Sequence, residues 1–249
     1  MLTDTHCHLL KCYYEDMDKY VEEAKASDVG RIIVAATNLQ ECQEVIELGK
    51  RYDNVYYCLG IHPEFYDEDF QKLDKLVYEV LSDPKFVAIG EIGLDYHYDK
   101  EHKVEQIALF KKQLKLAEDV DLPVIVHNRE STQDMVDSLR DFKTRGIIHC
   151  FSGSLETAKI LIKMGYYIGV GGVMTFKNSK VDEIIKELPI ENLTLETDAP
   201  FLTPEPFRGS QNASKYVKVI AEYLANIKNI TLDEVMKKTE ENVQDIFDF

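Results

Sequence analysis

Eight short apolar runs, each followed by a stretch with helical periodicity, constrain this chain more than any other feature of its sequence. The runs fall at residues 1–8, 32–36, 55–60, 86–92, 122–126, 146–148, 166–170 and 192–196. Between them, residues 15–28, 70–81, 101–120, 131–143, 155–164 and 180–188 read as helices. A further helix opens after Asn38-Leu-Gln-Glu41, which has the spacing of a capping box, and Gly30 reads as the stop of the first helix. Helices also cover most of residues 214–247, where Thr231-Leu-Asp-Glu234 has the capping-box spacing again.

Strands that are apolar without alternation are covered on both faces, as in parallel sheets. Strict alternation of strand and helix implies such a sheet, and eight units imply closure into a (β/α)8 TIM barrel of the α/β class. Barrels of this kind commonly reach 249 residues as one domain, so residues 1–249 are expected to form a single domain. A doubly wound open sheet is the competing architecture. It is disfavoured because no G-x-G-x-x-G follows the first strand, and because ligand-type residues follow several different strands.

Those residues carry the chemistry. The first strand ends in His6-Cys7-His8; on a strand, His6 and His8 share a face and Cys7 points the other way. The third strand is followed by His62, the fourth carries Glu91, the fifth ends at His127, the sixth at His149, and the eighth is followed by Asp198. In a (β/α)8 barrel all these strand ends open on one face. Five of the seven histidines lie at such ends, so a metal site is a better reading than packing or capping for the set as a whole. Four imidazoles and two carboxylates exceed one site that must leave room for water and substrate. Two divalent ions are expected, Mg2+, Mn2+ or Zn2+, with His6, His8, Glu91 and Asp198 on one and Glu91, His127 and His149 on the other. Glu91 would bridge, and Asp198 would also accept a proton from the attacking water. His62 has two readings, contact with the substrate or leaving group, and support of its own loop.

At this point the residues resemble a known family. Asp4-Thr-His-Cys-His8, Gly60-Ile-His-Pro63, Ile89-Gly-Glu-Ile-Gly-Leu-Asp-Tyr96, Pro123-Val-Ile-Val-His127, Ile148-His-Cys-Phe-Ser-Gly153 and Leu195-Glu-Thr-Asp-Ala-Pro-Phe-Leu-Thr-Pro204 together look like the TatD family of metal-dependent hydrolases, in order and over essentially the whole chain. The resemblance implies a barrel of the wider amidohydrolase group, divalent-metal dependence and deoxyribonuclease activity, commonly exonucleolytic from the 3′ end. The chain departs from the family after Arg208-Gly-Ser-Gln-Asn212, where Ala213-Ser214 replaces the usual Glu-Pro or similar pair.

Substrate contacts are expected from Arg129 and Arg208, whose planar guanidinium groups suit phosphate, with local carboxylates as the competing partners. Tyr96, His97 and Phe176 are candidates for stacking on a base, against ordinary packing. Gly169-Val-Gly-Gly172 suits close backbone approach to a phosphate and, equally, close packing at the rim. His102 reads as a solvated surface residue.

A formal charge of -16 opposes non-specific attraction to a DNA duplex or an anionic membrane through the bulk surface. An acidic body with a crater-shaped site fits a frayed or single-stranded DNA end better than the middle of a duplex. No apolar run reaches membrane-span length, and no basic segment precedes the first apolar residues. The five cysteines form no C-x-x-C pair and read as free thiols. The chain is therefore expected to be cytoplasmic and monomeric, with no obligate protein partner. The leading expectation is a two-metal phosphodiesterase acting on single-stranded DNA ends, with RNA as a further substrate. A small-molecule amidohydrolase, esterase or lactonase on the same binuclear barrel is the alternative. A binding protein with a vestigial site would show an incomplete ligand set, and here the set is complete.

Overall fold

The apolar runs satisfy their backbone groups by pairing with one another. In the computed structural model, which describes residues 1–249, β1 (Leu2–Cys7), β2 (Val29–Ala35), β3 (Val55–Leu59), β4 (Phe86–Asp95), β5 (Val124–Arg129), β6 (Gly146–Ile148), β7 (Tyr166–Val170) and β8 (Leu193–Leu195) lie side by side in sequence order. Every neighbouring pair is parallel. The ring closes between the ends of β8 and β1. There the Asp198 N–H donates to the His6 carbonyl at 3.0 Å and the His8 N–H to the Ala199 carbonyl at 2.7 Å. Asp4, fully buried, reinforces the seam by accepting the Thr197 N–H at 2.9 Å and the Thr197 hydroxyl at 2.7 Å. The result is the (β/α)8 barrel that the alternation implied.

The helices are α1 (Met17–Ala26), α2 (Leu39–Arg51), α3 (Phe70–Val80), α4 (Lys103–Val120), α5 (Thr132–Arg140), α6 (Leu155–Lys163), α7 (Val181–Glu187), α8 (Val217–Lys228) and α9 (Leu232–Ile246). Side-chain oxygens of Asp16, Asn38, Ser154 and Thr231 accept the backbone N–H three residues on, which settles where α1, α2, α6 and α9 begin. Thr231 and Glu234 form the complete capping box. At α2 only half of the expected box forms: Asn38 caps Glu41, but the Glu41 carboxylate reaches past the cap to the Thr37 N–H and hydroxyl, at 2.9 and 2.7 Å. Gly30 does not stop a helix; it lies inside β2. Strands β4 and β5 each run three residues beyond their apolar segments. Their pairing continues through Gly93 with His127 and Asp95 with Arg129.

Two apolar layers hold the barrel. The larger lies between strands and helices and includes Leu2, Val34, Leu59, Leu73, Phe110, Ile168 and Leu224. The smaller gathers Ile33, Ala35, Cys58, Ala88, Ile125 and Ile147 with Val243, Ile246 and Phe247 of α9. Helix α9 covers the N-terminal strand ends: Glu240 takes the Thr3 hydroxyl at 3.0 Å and pairs with Arg31, and Asn242 donates to the Ile190 and Leu193 carbonyls at 2.8 and 2.7 Å. The opposite mouth, where the strands end, is left for chemistry. No helix is long and apolar enough to cross a membrane.

Helix α4 does more than pack. Its buried face carries Phe110, Leu114 and Ala117, as the periodicity predicts, but also the buried amides Gln106 and Gln113. Gln113 donates to the Ile61 carbonyl at 2.9 Å and accepts the Ile61 N–H at 2.8 Å, fixing the loop that presents His62. Gln106 does the same for Asp95, whose N–H it accepts at 2.9 Å and whose carbonyl it reaches at 3.1 Å. Gln113→Leu keeps the volume but orphans both Ile61 groups. It should destabilise the fold by about 1–3 kcal/mol, read as a lower urea midpoint; an unchanged midpoint would mean that water replaces the amide.

Candidate metal centre

All the predicted ligands arrive at the C-terminal mouth of the barrel. Alternation on β1 sends Cys7 outward, where its thiol donates to the Ile33 carbonyl, and leaves His6 and His8 facing inward. His6, His8, Glu91, His149 and His62 are buried, while the side chains of His127 and Asp198 keep 18 and 14% of their surface and face the opening.

Glu91 stands at the middle. Its Oε1 lies 2.9 Å from both His127 Nδ1 and His149 Nε2, and those two nitrogens are 3.2 Å apart. Its Oε2 lies 3.4 Å from His6 Nε2 and 3.5 Å from His8 Nε2. Asp198 Oδ1 faces the same two nitrogens at 3.6 and 3.5 Å, and the nitrogens are 3.3 Å apart. The rings of His6 and His149 stack at 4.0 Å and join the two groups. His62 stands beside the second group, with Nε2 3.6 Å from Glu91 Oε1.

These separations suit cations. Ligand atoms about 2.1 Å from a zinc-like ion in tetrahedral array are about 3.4 Å from one another. Five separations in the group of His6, His8, Glu91 and Asp198 run from 3.3 to 3.6 Å. Glu91, His127 and His149 form a tighter three-donor face. The donors are nitrogen and carboxylate oxygen, a set that suits divalent first-row metals.

The supporting contacts point the same way. A ligating imidazole usually donates its other N–H to an acceptor, which fixes the tautomer. His8 Nδ1 lies 3.2 Å from the Ala35 carbonyl, which leaves Nε2 free of hydrogen towards the centre. His127 Nε2 meets Asp95 Oδ2 at 2.9 Å, which does the same for its Nδ1. Asp95 is the residue that motif reading passed over: it ends β4, and its Oδ1 accepts the N–H groups of His97 and Tyr98 at 2.8 and 3.0 Å. Its place two residues past Gly93 on an alternating strand was the available signal. Gly93, with φ +147°, is required there because any Cβ would strike the His127 carbonyl. His149 Nδ1 is buried without a partner, with Glu196 Oε1 3.9 Å away. Glu196 accepts the Cys150 N–H, and burial drives its carboxyl well above the usual range.

Charge in the centre is balanced internally. Burial opposes ionisation of Glu91, but His149, His6 and His62 outweigh it and hold the carboxyl well below its ordinary range. Burial opposes Asp198 too, and its bond to His8 prevails, so it is also lowered. Burial pulls His6 to about 4 and His62 to about 3, against the opposing influence of Glu91. Burial is overcome at His8 by Asp198 and Glu91, and at His127 by Asp95 and Glu91, which push each to about 9. A divalent cation displaces such protons when it binds.

The remaining candidates sit around the rim. The guanidinium of Arg129 lies 4.9 Å from the Tyr98 ring and that of Arg208 3.8 Å from the Phe176 ring. Arg31, Arg51, Arg140 and Arg145 each reach a carboxylate; Arg129 and Arg208 pair with none. The Tyr96 ring is buried and its hydroxyl donates to Asp134 at 2.7 Å, so it presents no face to the crater. His97 is exposed against Glu130 at 2.8 Å. His102 lies at the surface with 43% of its side chain exposed, stacked on Tyr66 at 4.7 Å and bonded to Asp99 at 2.7 Å at the start of α4. In the glycine run that begins in β7, a Cβ at Gly169 would strike Glu196 and one at Gly172 the Leu202 carbonyl, so both serve close packing.

A parallel eight-stranded barrel with these donors at its C-terminal mouth has the build of a metal-dependent hydrolase. Comparison with known proteins agrees. The TatD related DNase family profile matches residues 3–248. The uncharacterized metal-dependent hydrolase YabD of Bacillus subtilis is 42% identical over 256 residues, covering 99% of each chain. The uncharacterized metal-dependent hydrolase YcfH of Escherichia coli is 34% identical, covering 99% of this chain and 95% of its own. The crystal structure of YjjV, a TatD homolog from Escherichia coli, superposes with a TM-score of 0.92 at 34% identity, covering 99% of this chain and 97% of that one. This chain belongs to the TatD family of metal-dependent hydrolases.

Asp95→Asn keeps the acceptor for the His97 and Tyr98 N–H groups but removes the one that orients His127. It should weaken binding of Mn2+ or Zn2+ about 10- to 100-fold in calorimetric titration while the fold is retained. Unaltered affinity would restrict Asp95 to capping its turn.

Proposed function

We propose that this chain is a two-metal phosphodiesterase that trims single-stranded DNA from its 3′ end. The observation that carries the reading is the single carboxylate of Glu91 facing two separate nitrogen groups, one through each oxygen. When bound there, two divalent cations (Mg2+, Mn2+ or Zn2+) supply Lewis acidity to a phosphoryl oxygen and lower the pKa of water.

The chain's own groups then have distinct tasks. His6, His8, Glu91 and Asp198 hold one cation and Glu91, His127 and His149 the other. Asp198, at the open side of the centre, takes the proton of the attacking water. His62 accepts the Glu64 N–H on Nδ1 at 3.3 Å, so its Nε2 carries the hydrogen and donates towards a phosphoryl or leaving oxygen. Arg129 and Arg208, the arginines that no carboxylate neutralises, hold neighbouring phosphates at the rim. DNA as substrate and attack from the 3′ end rest on the family. In the same reading the 249 residues act as one domain, monomeric and without an obligate partner. It works in the cytoplasm, where its five free cysteines stay reduced.

The test is hydrolysis of single-stranded DNA labelled at either end, by protein stripped of metal and then resupplied with Mg2+, Mn2+ or Zn2+. Stepwise shortening from the 3′ end is expected only with metal. Glu91→Gln and Asp198→Asn should each lower the rate by more than about a hundredfold, the upper end for partners one shell further out. Full metal loading with no cleavage of DNA or RNA would overturn the reading and direct attention to small esters, lactones and amides.

A further inference from the structure

Beside the metal centre, one aromatic side chain is held in solvent with nothing stacked on it. Phe201 follows Asp198 by three residues and is 46% exposed. Its ring lies 6.1 Å from that of His8 and 5.5 Å from that of Tyr13, itself 39% exposed, and both neighbours meet it in T-shaped geometry. Tyr98, Phe176 and Phe207 of the rim each carry a partner, although Tyr98 and Phe207 are also exposed. Arg129 lies over Tyr98, Arg208 over Phe176, and Phe207 packs on Tyr216 at 4.9 Å.

The exposure of Phe201 is built in. Its N–H donates to the Asp198 carbonyl at 2.8 Å. The buried amide of Asn212 donates to the Phe201 carbonyl and to that of Thr197, so the backbone on both sides of Asp198 is fixed from one point. Next to it, Gln211 donates to the Tyr13 carbonyl at 2.7 Å. A rigid apolar ring at the lip of a polar crater is what a flat, unstacked ring system requires of a receptor.

We propose that Phe201, backed by Tyr13, seats the nucleobase of the nucleotide whose phosphate enters the metal centre. The proposal rests on the phosphodiesterase reading and adds to it a preference for nucleotides over base-free phosphodiesters. The site takes a base from a single strand or a frayed end, because a paired base within a duplex is already stacked on its neighbours. Stacking of this kind tolerates any base, so the platform selects a nucleobase without reading sequence.

The native chain contains no tryptophan, so F201W places a single indole reporter on the platform. Phosphorothioate-linked trithymidylate, which resists hydrolysis, would be titrated into the metal-loaded variant beside an abasic trinucleotide of equal charge. Quenching by trithymidylate and none by the abasic strand is the expected result. On the native chain, F201A and F201L should each weaken trithymidylate binding about 5- to 100-fold. F207A, on the same loop but packed on Tyr216, should leave it unchanged. Equal affinity for the two strands, absence of binding by both, or native affinity in F201L would overturn the platform, whatever the cleavage assay shows. Base-dependent binding through Phe201 without cleavage of natural DNA would keep the platform and sink the nuclease reading.

Discussion

The structure turns on one buried carboxylate. Glu91 is 3% exposed, and an unpaired carboxylate at that depth would be expensive to ionise. It is ionised because His149, His6 and His62 surround it and His127 bonds it. Each partner comes from a different strand end, so the barrel must close for the carboxylate to be tolerated. Close approach of the backbones is part of the arrangement: a Cβ at Gly60 would lie 2.7 Å from the Gly90 carbonyl carbon, just before Glu91. The electrostatic need of Glu91 is met by these imidazoles, and the steric need of the barrel beside it by Gly60 and Gly90.

Around that centre a layer of buried polar side chains does the positioning. Gln113 holds the His62 loop, Gln106 the end of β4, Asp95 the His127 ring and Asn212 the backbone on either side of Asp198. These are amides and carboxylates with their hydrogen-bonding capacity directed at main-chain groups or imidazole. Such contacts are costly to leave half-made, which is why they specify one arrangement of the loops. Helix α4 thereby couples two site segments that are more than thirty residues apart in the chain.

The charge distribution separates the body from the rim. A chain of -16 repels polyanions in general. At the mouth, however, Arg129 and Arg208 lie over aromatic rings and pair with no carboxylate, while the other arginines are neutralised. In the proposed function, divalent cations in the centre would confine attraction for phosphate to one crater, which would favour a strand end over a duplex surface.

Alternation of apolar strands with amphipathic helices made the barrel legible, because a covered parallel sheet leaves that period and little else. The metal-type residues were legible for a related reason: barrel strands end on one face, so a list of strand ends is already a list of neighbours. The strand limits at Asp95 and Arg129 were not, since pairing there continues through polar residues that look like loop. Nor were Gln106 and Gln113, which occupy apolar positions on α4 and reveal themselves only by what they reach. Tyr96 and Phe201 are both aromatic and both near ligand motifs, yet one ring is buried and the other stands in solvent. The sequence by itself determined which residue types stand at which strand end. Only the closed barrel decided which oxygen of Glu91 faces which imidazoles, and which rim side chains remain without partners, because distances across the mouth depend on strands that meet only when the sheet has closed.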